Sequence, residues 1–552
     1  MLLNRFLGLP LCAAFLLAVS VPAEAASFIP SATGFTVSVR DMGARGDGFS
    51  DDRPAIQAAV SLVESRGGGI VTIPPGTYLL NSYAPSPHPW FFYNIRVGSN
   101  VLLQGSPGAR FLQGPGGRAP LQQFAGEVRN SVLVFGSVNY VTSTFQSPAY
   151  NHGFYSLQPT TAGSTVVSLS SPVQAQQFAP GNYVAIYSAT AGDVIPSESS
   201  QVVAVNAAAG TLTLRWPLAR AFQSPSIANV THLASYNLGV TNLIVQGTEP
   251  LAVNETFNFS AENCQFISDL TVSGANTYGL NMNTMRDFRF TKDQISSVGP
   301  SAVGIELPQR NSQNGVIEAS TFAVRYLVFG EYAAHWNLSG NNIMLSPMPG
   351  DPAMMALGGL DVTFANNSVT GSGTMPVLAD YLGLPSYAAF VGQMVIVGNT
   401  FTCRADNSNC LSLSSPSVAV INNLIVTAGN AVGIKVEGPL PQVASIQQNS
   451  ITVQTGLGVV INTVRIDQSN VVSNTVTGSG APVGIIVATT VTPNTGGNVI
   501  TGNCISGFNT PISVNMTNHP GTVVTNTATI CPNVQLSNPA QPINPGVPTP
   551  RI

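Results

Sequence analysis

Cleaving a glycosidic bond takes two carboxyl groups, one protonated and one ionised, on opposite sides of the scissile bond. Eliminating across a uronic acid instead takes a base, often Lys or Arg, and a partner for the sugar carboxylate. Charged residues make up only 8% of this chain, so each one that a strand pattern turns outward is worth placing. In Val303-Gly304-Ile305-Glu306-Leu307, alternation points Ile305 and Leu307 inward and Glu306 outward. The same outward row is expected to hold Asn258, Asn281, Val328 and Lys435. One repeat further on, Glu331 follows its strand and precedes Tyr332, His335 and Trp336. Arg310 lies just past Glu306, and the long stretches 345–352 and 371–388 lean Asp351, Asp380, Tyr381 and Tyr387 towards the same surface. This constellation predicts a catalytic pair of Glu306 with Glu331 or Asp351. Its substrate contacts are Asn281, Arg310, Tyr332, His335, Trp336, Asp380 and Tyr381, with the aromatics stacking on sugar faces. In the competing reading both glutamates are ordinary solvated residues and His335 is a loop residue. Lys292 is the alternative base for elimination, on the corner after the second strand.

The elements that hold these residues repeat. An Asn followed by a short β-type stub recurs at Asn342, Asn367, Asn399, Asn423, Asn449, Asn474, Asn503 and Asn526. Reading backwards, Ser320, Asp293, Asp269 and Asn242 take the same place, in steps of 22 to 27 residues. A fixed period in this range means stacked units, none of which buries its apolar face alone. Asn tolerates left-handed backbone at a sharp corner, and stacked amides hydrogen-bond to one another. Each unit reads as three strands, such as Gly433-Ile434-Lys435-Val436, then Val443-Ala444-Ser445-Ile446, then, after the corner Asn449, Ile451-Thr452-Val453. Twelve coils at about 4.8 Å each make a rod of roughly 55 Å. Asp269 and Asp293 are thereby structural.

Composition narrows the class. Net charge is −4, lysines number only two (Lys292 and Lys435), and no long charged run occurs, which argues against a nucleic-acid partner. Residues 1–25 read as an export signal: Arg5, the apolar 9–21, then Ala23-Glu24-Ala25 before the cleavage point. No later apolar stretch is long enough to span a membrane. The mature protein is expected to be secreted or periplasmic. Export permits disulfides. Cys403 and Cys410 flank a short polar loop, Cys504 and Cys531 stand about one coil apart, and Cys264 is left over. Residues 26–153 read as the cap and first coils, and 154–235 as a small antiparallel β insert. The coils follow over 236–536, with a Pro-rich tail at 537–552. The insert either walls the binding face or is decorative. No dense acidic cluster marks a metal site. No cofactor is expected, with calcium left open.

The front of the chain carries Val39-Arg40-Asp41-Met42-Gly43-Ala44-Arg45-Gly46-Asp47-Gly48, then Asp51-Asp52-Arg53-Pro54-Ala55-Ile56-Gln57-Ala58-Ala59-Val60. Asp51 or Asp52 can cap a helix with Pro54 in its first turn, ended by Gly67-Gly68-Gly69. Ile70-Val71-Thr72-Ile73-Pro74-Pro75-Gly76-Thr77-Tyr78 then reads as the first strand. This segment resembles the N-terminal signature of the pectate-lyase-like superfamily. The resemblance implies an all-β, right-handed parallel β-helix with an N-terminal capping helix. It usually implies a glycoside hydrolase, polysaccharide lyase or epimerase, although phage tailspikes share the signature. Asp47, Asp51 and Asp52 are read as cap and turn residues. The N-T-D, paired D-D, G-H-G and R-I-K motifs of polygalacturonases are absent from the coils. So is the D-P-H of mannuronan epimerases, and Arg118-Ala119-Pro120 lacks the second Arg of the R-x-P-x-x-R lyase motif. No catalytic residue transfers by motif. Hydrolysis of a neutral or weakly charged polysaccharide is the leading expectation. Lyase, epimerase or transglycosylase chemistry comes next, and non-catalytic glycan binding third. The protein acts as a monomer or a homotrimer.

Overall fold

The computed structural model of the chain describes residues 34–87, 91–119, 129–138, 154–188, 197–269, 280–297, 305–309, 312–324, 326–329, 333–345, 354–371, 377–380, 392–404, 409–466, 469–487, 498–514 and 522–525. Short runs of alternating apolar residues pair in parallel with the equivalent run one turn later. They build three stacks of strands. The first face runs through Phe91–Val97, Arg129–Gly136, the starts of Glu249–Glu262 and Leu280–Thr291, Ile305–Gln309, Tyr326–Phe329, Met354–Leu357, Leu378–Asp380 and Asn409–Leu413. The second face begins with Thr36–Ser38, Gly69–Ile73, Val101–Gly105 and Ser235–Thr241. The third begins with Asp47–Asp51, Gly76–Leu80, Ala109–Gln113 and Ile244–Gly247. This is the parallel β-helix expected from the repeat. It extends further forward than the twelve registers counted from sequence, because the cap coils carry no corner Asn.

Inside the rod, like side chains stack coil on coil. Phe135, Phe259 and Phe290 are fully buried, with successive ring centroids 5.1 Å and 5.5 Å apart. Each contributes about 1.5 to 3 kcal/mol by leaving water. The open front end is closed by the helix Arg53–Ser65, which turns Ile56, Ala59, Val60 and Val63 onto the first coil. Asp52 stands at the helix N-terminus, but its carboxylate does not cap the helix. It accepts instead from the N–H groups of Arg45 (2.6 Å) and Gly46 (3.0 Å). Asp47 likewise ties its own turn, through the N–H groups of Phe49 and Ser50. Both are structural, as read from the sequence.

The corner between second and third faces is built from two residues rather than one. The first takes left-handed backbone: Asn242, Asn263, Lys292, Ala319, Gly340, Asn366, Gly398, Asn422, Gln448, Ser473 and Gly502, with φ between 51° and 68°. The second is buried and carries the ladder: Asn341, Asn367, Asn399, Asn423, Asn449, Asn474 and Asn503. Each ladder amide donates to the next one's Oδ1 at 2.9–3.0 Å. Each also donates to a main-chain carbonyl of an earlier coil, from Ile317 for Asn341 to Val471 for Asn503. Three sequence assignments therefore move. The ladder residue is Asn341, not Asn342. Cys264 replaces Asp269, which instead pairs with Arg118 at 2.8 Å. Leu243 replaces Asn242, which supplies the left-handed turn. Asn526 lies outside the described residues.

Between Arg129–Gly136 and Ser235–Thr241 the chain leaves the rod and returns. The excursion forms a separate antiparallel sheet of Phe154–Ser156, Pro225–Asn229, Tyr183–Ser188, Ser197–Asn206, Thr211–Leu214 and Val166–Ser168, in that spatial order. It has its own core around Val184, Ile186, Val202, Leu212 and Ile227. A buried ion pair braces it: Arg220 Nε lies 3.0 Å from Glu198 Oε1, and the N–H groups of Ala219 and Arg220 donate to the same carboxylate. Cys403 and Cys410 form the predicted disulfide. Cys504 is also disulfide-bonded, while Cys531 lies outside the described residues.

Candidate functional site

Strand pairing on the first face aligns Ala252, Asn281, Glu306, Val328, Ala356, Ala379, Ser412, Lys435 and Val460 in one row. The row alternates with core residues such as Leu251, Leu280, Leu327, Leu411 and Ile434. Asn281 and Glu306 are thus direct neighbours on adjacent coils, as are Glu306 and Val328. Asn258, expected on this row, belongs to the second face, where Ala252 is the first-face residue of that coil. A second row, Asn254, Asn283 and Gln309, accompanies the first over the same three coils. Backbone pairing thus brings five polar positions to these three coils, with a register shift between the Asn281 and Asn283 pairings, while the next coils put Val328, Ala356 and Ala379 on the first row. Asn254 is buried and donates to the Ser137 carbonyl at 3.2 Å. Asn281 is only 1% exposed.

The insert stands beside this patch because it leaves the rod between a first-face and a second-face strand. It packs on an outer row of the second face, Tyr236, Phe257, Arg286 and Gln313. Flat groups of rod and insert interleave there. Tyr183 of the insert lies 5.7 Å from Tyr236 and 4.2 Å from Phe257, and Trp216 lies 6.3 Å from Phe257. The Arg286 guanidinium sits 4.4 Å from the centre of the Trp216 ring. Its Nη1 donates to the Ser199 carbonyl at 2.6 Å and also meets Gln313. Burial lowers the Arg286 pKa to about 10, against the opposing pull of Asp287 and Glu198, so it stays charged at neutral pH. Burial raises the carboxyl of Asp287, which Arg286 and the Asn314 amide partly offset.

The sequence-predicted residues divide clearly. Asn281 and Glu306 come together. Asp380 ends the first-face strand Leu378–Asp380, opposite Leu357. Arg310, Glu331, Tyr332, Asp351, Tyr381 and Tyr387 lie outside the described residues. His335 and Trp336 belong to the second face. Trp336 points into the core, 2% exposed, with its ring 5.0 Å from Phe288 and its Nε1 donating to the Ser312 carbonyl. It therefore cannot stack on a sugar. His335 sits in left-handed backbone in a column with Asn237, Asn258, Asp287, Asn314 and Asp361, and its Nδ1 is 3.3 Å from Asp361. Arg289 is engaged by Glu318, and Lys292 lies 4.0 Å from Glu262. Sequence reading missed Glu249 and Glu255, both almost fully buried on the strand that enters the patch. The signal was there, as two acids within a run that is otherwise apolar or amide. Among the described residues no group of three or more His, Cys, Asp or Glu is placed to hold a metal, and no helix is long and apolar enough to cross a membrane.

Residues 36–111 match the family model described as rhamnogalacturonase A/epimerase, pectate lyase-like. That match covers the cap and first coils, and the rod behind it has the parallel β-helix fold of pectate-lyase-like proteins. Mannuronan C5-epimerase AlgE6 of Azotobacter vinelandii is 53% identical over 45 residues, which is 8% of this chain and only 5% of that protein. Alginate lyase 7 of the same organism is 51% identical over 41 residues, covering 7% of this chain and 5% of the lyase. Among solved structures, the tailspike of E. coli bacteriophage HK620 superposes with a TM-score of 0.50 at 13% identity. That match covers 89% of this chain and 81% of the tailspike. The Gp54 tailspike of Acinetobacter baumannii bacteriophage AP22, solved with a capsular saccharide, gives 0.50 at 10% identity, covering 89% and 79%. At these identities the likeness concerns the fold.

Proposed function

We propose that this protein is a carbohydrate-active enzyme that cleaves glycosidic bonds of a polysaccharide laid along the first face. Glu306 serves as one carboxylate of a hydrolytic pair, Glu331 or Asp351 as the other, and Asn281, almost fully buried on the preceding coil, as the neighbour that positions Glu306. The observation that carries this reading is the meeting of Asn281 and Glu306 on adjacent coils, within a five-residue polar patch and next to a braced insert. A covered flank strengthens the electrostatics of such a site. Arg310, Tyr332 and Tyr381 are proposed as further contacts, and no cofactor is required. Residues 1–25 direct the protein to the periplasm or outside the cell.

A second reading has its own support. The curated relatives that match the cap are epimerases and an alginate lyase, and Arg286 brings a buried cation beside the patch. Elimination or epimerisation of a uronic acid polymer fits both. Product chemistry separates the readings on a panel of neutral and uronic acid polysaccharides. New reducing ends without ultraviolet absorbance of unsaturated sugars are the expected result. Absorbance with new ends, or inverted uronic acid residues without any cleavage, would move the assignment to the second reading.

A further inference from the structure

Five coils beyond Glu306, the same row carries a second polar group. The steps run Glu306, Val328, Ala356, Ala379, Ser412 and Lys435. Lys435 Nζ lies 2.6 Å from Glu437 Oε2, two residues along the same strand. Ser412 Oγ donates to Glu437 Oε1 at 3.2 Å from the preceding coil. Ser412 is buried, and the Lys435 and Glu437 side chains are 28% and 30% exposed. Lysine is scarce here, with only one other in the chain. A lysine on this row is therefore not a by-product of a lysine-rich surface.

Stability does not account for the group. A partly exposed ion pair contributes little to stability, because solvent screens it. The flanking coils hold the same row with Ala379 and Val460, and the rod continues through both. The group instead offers fixed donors on the ammonium and an acceptor on the carboxylate, with the charges cancelling. That is chemistry suited to adjacent sugar hydroxyls rather than to an isolated anion.

We propose that Ser412, Lys435 and Glu437 form a distal subsite for a neutral sugar residue of the polysaccharide that passes Glu306. The inference rests on the first-face reading above and adds a length to it. Five steps at about 4.8 Å separate the two groups by about 24 Å. A glycan much shorter than this engages one group and not both, so affinity rises with chain length until the span is covered.

The test is affinity electrophoresis of the full chain, carrying Glu306→Gln to stop turnover, through gels containing xylan, galactomannan, mixed-linkage β-glucan, alginate or polygalacturonate. Oligosaccharides of the retained polymer, from dimers upward, then compete. At least one neutral polymer is expected to retard the protein. Lys435→Met with Glu437→Gln is expected to weaken that retention by about 10-fold, the effect of losing one hydrogen bond to a charged group. Short competitors are expected to displace the parent poorly. The exchange Lys435→Glu with Glu437→Lys keeps the ion pair, so loss of retention in both variants with unchanged melting separates binding from folding. Retention that ignores both variants, or retention by the anionic polymers alone, would overturn the subsite. Retained turnover in the Glu306→Gln protein would overturn the catalytic assignment instead, and leaves the binding result readable.

Discussion

The two ends of the buried ladder are built from different chemistry. From Asn341 to Asn503 every rung is an amide, which donates and accepts while staying neutral. Towards the front, the rungs are Ser320, Asp293 and Cys264. The Cys264 thiol still points at the equivalent carbonyl, that of Val240, at 3.6 Å. Asp293 keeps half of the amide pattern. Its Oδ1 accepts from the Cys264 N–H at 2.8 Å, while its Oδ2 finds no hydrogen-bond partner among the described residues. These front rungs belong to the same coils as the polar patch and the insert. The scaffold is uniform from the coil of Val328 onward, including the coils of Ser412 and Lys435, and it departs from its own rule on the coils of Asn254, Asn281 and Glu306. Such local departures are tolerated where a site requires them and the rest of the fold compensates.

Breaking the uniform end has the largest expected effect. Asn423→Ala removes the Nδ2 bonds to the Ile396 carbonyl and to Asn449, and the acceptor used by the Asn399 N–H and amide. Several buried groups lose their partners, so a loss of about 3 to 5 kcal/mol is expected. Denaturant unfolding, with hydrogen exchange to locate the opening, measures it. A loss below about 1 kcal/mol would mean that the ladder does not hold the coils together.

Converting the front to the uniform pattern sharpens the comparison through pH. Burial pushes the Asp293 carboxyl up to about 8 from an ordinary 3.8, and the nearby Glu262 charge adds to the effect of burial. The folded state then binds a proton that the unfolded state has released, so stability falls as pH rises between about 4 and 8 and levels off above that. Asp293→Asn removes this slope and supplies the missing donor. The variant is expected to melt progressively higher than the parent as pH rises from 4 to 8, by on the order of a few kcal/mol at the top of the range. Parallel melting curves across that range would show that Asp293 is not protonated in the fold.

The smallest effect concerns the seam. Trp216→Ala removes one flat group from the stack between insert and rod, a loss of about 1 to 2 kcal/mol for the docking of the insert. Limited proteolysis of 154–235 is expected to accelerate while the melting of the coils stays unchanged. Equal protease resistance would show that the seam does not fix the insert.

Much of the fold was legible in the sequence. The Asn spacing set the coil period, and the cap helix and its end lie where the front motif put them; the single first strand expected over Ile70 to Tyr78 is instead two strands, Gly69–Ile73 and Gly76–Leu80, on the second and third faces. The front registers slipped at Leu243 and Cys264, which fill a rung without being polar amides or acids, so a search for Asn or Asp settled on Asn242 and Asp269 instead, while Asp293 was placed correctly. The left-handed corner residue was hidden for a related reason: Lys292, Ala319, Gln448 and Ser473 hold that backbone here although Gly and Asn adopt it more readily. The site was less legible. His335 and Trp336 lie on a second-face strand, Ala334–Ser339, whose regular alternation turns Trp336 inward, whereas the sequence reading set them in the stretch beside the first face. Glu249 and Glu255 escaped notice because a single strand, Glu249–Glu262, turns the corner between two faces. Nothing local in 154–235 announces that Tyr183 and Trp216 interleave with Phe257 and Arg286 of the rod.

The central claim is that Glu306 does chemistry on the first face, and Glu306→Gln tests it most directly. The substitution keeps the shape of the side chain and removes only its ability to ionise or to carry an acidic proton. Turnover of the polysaccharide that gives product with the parent protein is expected to fall by about 100-fold or more in kcat, with KM and melting temperature little changed. Turnover equal to that of the parent would contradict the account and remove Glu306 from the site.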